Sequence, residues 1–361
     1  MNILQIISSS RLSGAEKHAL LLSSELNKLG HNVTLVAPPG GWLSDQASRA
    51  GIDLISLPFY GLAGASSFGD MKRIVTTKQI DLIHTHLTCA TYFGTLLGKM
   101  MHRPVVASLH VHSRDFVYRK LLPKKQNQII AVSNFVREGL VKNGVPESHL
   151  RTIYNGTEFT AASVELSALS VREELNLLPD SVLVGIFGHV GEFKGHMLLV
   201  EAAGLMLNTC PNAYFVCVGN VDPAMQKTLW ELAAKRGVAD RFRFTGPRND
   251  VPRLMSSMDV ITLPSRYEAC SMVILEAMAM QKAVVATNAG GNPELITSGE
   301  TGLLIDRTPK DLSEALTQLI HDKPQREAFG VAGCNVAVQR FTVLAMAQNV
   351  SNLYGEMLGS R

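Results

Sequence analysis

Short apolar runs alternate along the chain with longer stretches whose apolar residues recur at helical spacing. The runs that predict strands are residues 3–7, 33–37, 54–57, 82–86, 105–109, 129–133, 183–187, 214–218, 242–245, 260–263, 284–287 and 303–306. Apolar runs that alternate with helices are typical of βαβ units, which build parallel sheets. We therefore predict an α/β fold with two doubly wound parallel sheets, one in each half of the chain.

The length of the chain also favours two domains. A chain of 361 residues exceeds the size at which a single core usually stops growing. Residues 159–174 are rich in Ala, Ser and Glu and lack an apolar stripe. We predict an N-terminal domain over residues 1–165 and a C-terminal domain over 175–340. A terminal helix over 341–361 is expected to cross back to the first domain.

Composition narrows the class of protein. No apolar run approaches the roughly 20 residues of a membrane span, and no basic leader precedes the first predicted strand. We therefore expect a cytoplasmic protein. The five cysteines are scattered without any Cys-x-x-Cys spacing, which argues against a disulfide framework and a zinc knuckle.

Charge is distributed unevenly along the chain. The net charge of +3 is too small to indicate a nucleic-acid partner. Residues 1–150 contain 16 Lys and Arg against 9 Asp and Glu. Much of that excess lies in residues 114–125, where basic side chains interleave with apolar and aromatic ones. This pattern fits either peripheral contact with an anionic membrane or an ordinary solvated face.

The segment 265–279 carries the most specific candidate chemistry. It follows a predicted strand and leads into a helix from about Ser271. Glu268 and Glu276 are eight residues apart, so Glu268 lies on the loop and Glu276 in the second helical turn. Because a carboxylate accepts two hydrogen bonds, it suits the vicinal diol of a ribose or a hexose. The alternative is a solvated helix with two surface glutamates.

Phosphate can be bound close to those carboxylates. The backbone N–H groups of Ser271, Met272 and Val273 lie at the start of the same helix, where both free donors and the helix dipole favour an anion. Lys194 lies in a second Gly-rich loop, between a predicted strand and a helix. Its ammonium group suits a diphosphate, although a lone lysine in such a loop is commonly a solvated residue.

Taken together, these motifs resemble those of the family-4 retaining glycosyltransferases. Glu268 to Glu276 matches the Glu-x7-Glu motif of that family. Further matches occur in sequence order at 13–16, 84–86, 109–110, 131–134, 154–156, 188–195, 244–246 and 289–295. The resemblance implies the GT-B fold, in which two Rossmann-like domains face a deep cleft.

The resemblance also implies roles for individual residues. Lys194 would hold the donor diphosphate, Glu268 would contact the donor hexose and Glu276 would bind the ribose hydroxyls. Gly14 would let the first loop approach the phosphates, and His110 would lie by the transferred sugar. Lys194, Glu268 and His110 are thus the candidate catalytic residues. We assign acceptor binding to the loop that follows His110, with His112 and Arg114 as its candidate contacts.

Three departures from the family pattern affect the donor site. His189 stands where the family usually has Arg, so phosphate neutralisation is expected to be weaker or pH-dependent. Residues 269–271 read Ala-Cys-Ser instead of Gly-Phe-Gly, which is expected to narrow the donor pocket. Ser13 replaces a common glycine and leaves Gly14 alone to allow close backbone approach. Arg248 follows a strand where similar enzymes present groups to the base, and a structural surface role is equally open for it.

We therefore predict transfer of a hexose or N-acetylhexosamine from a nucleotide sugar, a UDP-sugar by preference, to a hydroxyl acceptor with retention. The acceptor is expected to be a glycan or a lipid-linked molecule of the envelope, lipopolysaccharide or glycolipid type. No cofactor or obligatory metal is expected, since Lys194 and helix N-termini supply positive charge and no Asp-x-Asp motif occurs.

Three other interpretations stay open on the residues alone. The pairs His84/His86 and His110/His112 could bind the metal of a hydrolase, since residues i and i+2 of a strand share a face. The second alternative is a nucleotide-sugar epimerase. The third is a sugar-nucleotide-binding protein that has lost catalytic activity.

Overall fold

The chain folds into two α/β units, each built on its own parallel sheet. The computed structural model describes residues 1–111, 113–124, 126–158 and 168–359. The first unit comprises Met1–Gly156 together with Thr342–Arg361, and the second comprises Thr157–Phe341. The first unit thus takes its residues from both ends of the sequence.

Seven parallel strands form the sheet of the first unit. They are β1 Asn2–Ile7, β2 Asn32–Ala37, β3 Asp53–Ser56, β4 Leu82–His86, β5 Val105–Leu109, β6 Gln128–Ala131 and β7 Leu150–Thr152. Their order across the sheet is β3-β2-β1-β4-β5-β6-β7. The helices that connect them are α1 Gly14–Lys28, α2 Gly41–Arg49, α3 Gly61–Thr77, α4 Thr88–Met101 and α5 Asn134–Lys142.

Six parallel strands form the sheet of the second unit. They are β8 Val182–Phe187, β9 Ala213–Val218, β10 Phe242–Gly246, β11 Val260–Leu263, β12 Ala283–Thr287 and β13 Leu303–Ile305. Their order is β10-β9-β8-β11-β12-β13. The helices of this unit are α6 Ala168–Glu174, α7 His196–Leu205, α8 Pro223–Lys235, α9 Val251–Ser256, α10 Met272–Ala279, α11 Asn292–Leu295, α12 Pro309–His321 and α13 Lys323–Arg340.

The strands can be recognised in the sequence as apolar runs because most of their residues are buried. The central strands β1, β8 and β11 are buried along nearly their whole length, since helices cover both faces of each sheet. The predicted pair of doubly wound parallel sheets is confirmed. Strand β7 is an addition to the prediction, because its Leu-Arg-Thr sequence contains a single apolar residue.

The region predicted to connect the domains is described only in part. Residues 159–167 lie outside the described residues. The second unit already includes α6, where Arg172 forms an ion pair with Asp259 at 2.9 Å between Nη2 and Oδ2. None of the helices in the described ranges combines the length and apolar character needed to cross a bilayer.

Helix α14, Val343–Gly359, completes the first unit by packing against α1. Its apolar face contributes Val350, Leu353 and Tyr354 to the core. The Tyr354 hydroxyl lies 2.5 Å from Nδ1 of His84, which is buried on the central strand β4. A buried imidazole needs such partners, because an unpaired polar group in a core is costly.

Tyr354→Phe should lower the free energy of unfolding of the first unit by about 1–3 kcal/mol, because it leaves a buried imidazole nitrogen without its partner. Urea denaturation monitored by circular dichroism measures the change. Tyr92→Phe is the matched control, since the Tyr92 hydroxyl bonds Asp115 at an exposed position and its loss should cost about 0.5 kcal/mol or less. Equal effects of the two substitutions would contradict the structural importance of the Tyr354–His84 contact.

Candidate functional site

The loops after β8 and β11 meet because these two strands are neighbours in the second sheet. The strand order reverses between them, and such a reversal is where open α/β sheets bind ligands, beyond the carboxyl ends of the strands. The backbone N–H of Arg266 donates to the carbonyl of Phe193 at 2.9 Å. The rings of Phe193 and Tyr267 also pack edge to face, 5.1 Å between centroids. The two loops therefore form one joined surface.

A glycine allows this close approach. Gly195 has a φ of +86°, and a Cβ at this position would lie 2.2 Å from the carbonyl oxygen of Pro264. Arg307 reinforces the junction, since its guanidinium donates to the carbonyls of Pro264 and Glu192 at 3.3 and 3.0 Å. No sequence pattern marked Arg307, which follows β13 and is far from both loops in sequence.

The junction brings together two of the candidate residues. Nζ of Lys194 lies 2.7 Å from Oε1 of Glu268, and the two side chains are 24% and 13% exposed. The backbone of Glu268 is fixed by a bridge to Gly290, and its carbonyl accepts the N–H of Gly291 at 2.7 Å. An ammonium group has three donors and a carboxylate about four acceptor sites, so this pair retains capacity for a ligand.

Helix α10 begins directly beside Glu268. The hydroxyl of Ser271 caps the helix by accepting the N–H of Ile274 at 3.4 Å. The amides of Met272 and Val273 belong to the first turn, where backbone donors have no acceptor within the helix. Glu276 lies half-buried in the second turn, as its spacing from Glu268 predicts.

The loop between the two glutamates turns its side chains inward. Cys270 and Ser271 are 6% and 5% exposed, and both precede α10. Cys270 stands where the family commonly has Phe, and Ser271 stands where it commonly has Gly. Their burial means that they pack under the loop.

Two further donor candidates of the second unit differ in their surroundings. His189 follows β8 by two residues and is exposed. Arg248 donates to both oxygens of Asp250 at 2.7 and 2.8 Å and to Glu174 at 2.6 Å. Hydrogen bonding from Arg248 holds the pKa of the Asp250 carboxyl well below its usual range. Arg248 therefore has a structural contact, and its contact with a base stays a prediction.

The first-unit candidates lie at the ends of β1 and β5. Gly14 opens α1, and the preceding Ser13 hydroxyl donates to the Glu16 carboxylate. His110 follows β5 directly, and Arg114 is exposed in the loop beyond it. His112 lies outside the described residues.

His110 belongs to a cluster of four histidines in the first unit. Its ring centroid is 4.6 Å from that of His18 and 5.8 Å from that of His86, which stacks on His84 at 4.5 Å. Burial lowers the pKa of His18 to about 4 and that of His84 to about 3. Burial also places the pKa values of His86 and His110 well below the usual range. The four imidazoles are therefore neutral at pH 7.

His18 is the member of this cluster that sequence reasoning missed. It lies on α1, four residues after Gly14 and on the same buried face as Ala15 and Leu22. That helical spacing could have placed it in the core. Its proximity to His86 and His110 depends on the pairing of β1 with β4 and of β4 with β5, which spacing alone does not give.

The two units, each built on its own parallel sheet, have the GT-B fold of structurally similar proteins. The sequence matches the family described as glycosyl transferases group 1 over residues 170–335 and glycosyltransferase family 4 over residues 12–160. The chain belongs to the family-4 glycosyltransferases.

Relatives of known name support this assignment. The chain is 30% identical to a D-inositol 3-phosphate glycosyltransferase of Corynebacterium glutamicum, with 96% of this chain and 92% of the relative covered. It is 28% identical to a lipopolysaccharide core biosynthesis mannosyltransferase of Rhizobium meliloti, with 67% and 69% covered. The crystal structure of Anabaena HepE in complex with UDP and glucose has a similar fold, with a TM-score of 0.88, 22% identity and coverage of 99% and 100%.

Gly195→Ala should destabilise the second unit by about 2 kcal/mol or more, since alanine disfavours this left-handed backbone and its Cβ would overlap the Pro264 carbonyl. Thermal and urea denaturation measure the loss. Gly191→Ala is the control on the same loop, because a Cβ there meets no atom within 4 Å, and it should change stability by about 0.5 kcal/mol or less. A stable Gly195→Ala protein would show that the loops are not held at this distance.

Proposed function

We propose that this glycosyltransferase moves a hexose or N-acetylhexosamine from a UDP-sugar to a hydroxyl acceptor with retention of the anomeric configuration. The observation that supports this proposal most directly is the 2.7 Å hydrogen bond from Nζ of Lys194 to Oε1 of Glu268, at the strand reversal of the second sheet. A cation for phosphate and an anion for sugar hydroxyls stand there beside the start of α10. A sugar diphosphate would use both groups.

The donor would lie along this surface in a defined order. The amides at Ser271, Met272 and Val273 and the ammonium group of Lys194 would bind the diphosphate. Glu268 would accept hydrogen bonds from the hexose, and Glu276, one helical turn further, from the ribose. As the bond between the anomeric carbon and the diphosphate oxygen breaks, negative charge grows on the leaving group, and Lys194 would stabilise it.

The choice of UDP and of retention has separate support. Anabaena HepE, which shares the fold, is described in complex with UDP and glucose. Retention is implied by the resemblance to the retaining family-4 enzymes. The charge from Lys194 and the first turn of α10 supplies what a divalent ion would otherwise provide at the phosphates, so we propose catalysis without an obligatory metal.

Lys194→Ala should lower kcat for sugar transfer by about 100-fold or more, because the leaving diphosphate loses a preorganised cation. The assay follows a radiolabelled UDP-sugar into acceptor, and NMR of the product reads the anomeric configuration. Lys227→Ala, at an exposed position of the same unit, is the control and should leave turnover unchanged. Unchanged turnover of a folded Lys194→Ala protein would refute the role of Lys194, and donor loss without acceptor product would indicate a hydrolase.

The acceptor side of the first unit combines apolar and basic groups. A cavity of about 1080 Å³ is lined by Phe68, Tyr92, Phe93, Thr95, Leu96, Lys99, His102, Lys120, Leu121, Lys124, Gln126 and Asn127. Helix α4 also exposes Tyr92, Leu96 and Met100, which lie four residues apart on one face. This arrangement suits a lipid with an anionic headgroup.

We infer that the first unit binds peripherally to anionic membrane and takes a lipid-linked or envelope glycan acceptor. Exposed apolar side chains would enter the headgroup region while lysines contact the phosphates. The relatives include a lipopolysaccharide core mannosyltransferase, whose name agrees with an envelope acceptor. A cytoplasmic location would give access to the inner face of the membrane.

Replacement of Lys99, Lys120 and Lys124 by alanine should weaken binding to phosphatidylglycerol-containing vesicles by roughly 100-fold, since each lysine contributes about 1 kcal/mol near such a surface. Vesicle co-sedimentation measures the affinity, with phosphatidylcholine vesicles for comparison. Leu96→Ser should also weaken binding, whereas Leu205→Ser, at an exposed leucine of the second unit, should not. Failure of the unsubstituted protein to bind either kind of vesicle would remove the membrane proposal.

A further inference from the structure

We propose that His18, His86 and His110 of the first unit form a binding site for a divalent transition-metal ion, with zinc as the ion that fits best. One ring nitrogen from each histidine lies within 4.8 Å of the other two. Imidazole is a preferred ligand of zinc, and three histidines with one open position are an established coordination set for it.

The three ring nitrogens would have to move only modestly closer together to bind one zinc ion. Zinc–nitrogen bonds of about 2.0–2.1 Å place tetrahedral ligand atoms about 3.3 Å apart. The rings must therefore approach one another by about 1.5 Å at most. The three rings already contact one another, with centroids 4.6 to 5.8 Å apart. Because the planes of His86 and His110 are only 25° apart, metal binding would require these rings to turn as well as to approach.

The hydrogen bonds of His86 prepare it as a ligand. Its Nε2–H donates to Oε1 of Gln5 at 2.9 Å, which leaves the lone pair on Nδ1. Nδ1 is buried and has no hydrogen-bond partner among the described residues. A metal-binding histidine typically donates its other ring nitrogen to an oxygen in this way. Gln5 is itself fully buried on β1, so its oxygen is held in place.

His110 offers a second unsatisfied nitrogen and a route for the ion. Its Nε2 is buried and has no partner within the described part of the chain. The residue as a whole is only partly buried. An ion could therefore enter from the side of His110, and the fourth coordination position would remain open to water. An unpaired buried nitrogen is costly, and a metal would satisfy it.

His84 shows what a structural histidine looks like in the same cluster. Its Nδ1 is bonded to the Tyr354 hydroxyl and its Nε2 to the Ser108 hydroxyl at 2.8 Å. Both ring nitrogens are thus used, although the ring stacks directly on His86. His84 is thus satisfied within the protein, whereas His86 keeps one ring nitrogen without a hydrogen-bond partner among the described residues.

Bound zinc would also affect sugar transfer. Because the family resemblance assigns His110 to the reaction, a metal on its nitrogen would withdraw that group and inhibit the enzyme. This consequence rests on the proposed function. Metal binding itself does not, and it is measured without substrate.

The test uses the full chain without an affinity tag, after removal of bound metal with a chelator. Isothermal titration with ZnCl2 and visible absorption after addition of Co²⁺ should show one ion per chain in a tetrahedral site. His18→Gln should abolish stoichiometric binding, and Gln5→Leu should weaken it by about 10- to 100-fold through the lost orientation of His86. His84→Gln is the matched control and should retain binding.

Circular dichroism of each variant is used to check that it is folded. Absence of stoichiometric binding by the unsubstituted chain, or equal binding by a folded His18→Gln protein, would overturn the metal site. Zinc that binds in the titration but leaves sugar transfer unchanged would overturn the assignment of His110 to the reaction and leave the metal site standing. We expect zinc to inhibit sugar transfer by the unsubstituted chain. We expect His18→Gln to relieve that inhibition and to have normal turnover in the absence of zinc.

Discussion

The parallel pairing of β8 with β11 is the constraint on which the candidate donor site depends. These strands are far apart in sequence, yet their neighbouring carboxyl ends place two loops side by side. The contacts between these two loops follow from that adjacency, including the approach of Gly195 to Pro264 and the pair formed by Lys194 and Glu268. A change of strand order would separate the cation from the carboxylate.

The charges of the site compensate one another before any ligand arrives. Lys194 and Glu268 are both largely shielded from water. Each neutralises the other, because an unpaired charge in such a position would destabilise the folded protein. A diphosphate would take over the ammonium group and sugar hydroxyls the carboxylate. Under the proposed function, binding would exchange the Lys194–Glu268 hydrogen bond for charge-assisted hydrogen bonds to the ligand. The site is in this sense assembled in advance.

Local sequence patterns predicted most of the fold and the main features of the candidate site. Buried strands such as β1 and β11 are continuous apolar runs, and Ser271 marks the start of α10 by its capping chemistry. The spacing of Glu268 and Glu276 fixed their positions relative to one helix. Strand β7 was not predicted, because three residues with one apolar side chain give no periodic signal.

What the sequence did not yield depends on contacts between distant segments. The engagement of Arg248 with Glu174 joins residues 74 positions apart. The position of His18 beside His86 depends on the order of the strands, which no local pattern encodes. Arg307, which ties the two loops together, looks like any surface arginine in the sequence.

The composition of the first unit from both ends of the chain has a consequence for biosynthesis. Helix α14 packs on α1, but it emerges from the ribosome only after the entire second unit. Synthesis of the second unit, Thr157–Phe341, takes on the order of 10–40 s at translation rates of roughly 5–20 residues per second. For that time Met1–Gly156 lacks its last helix. The second unit, which is continuous in sequence, can finish folding first. The nascent first unit therefore lacks the packing of α14 on α1 during that interval.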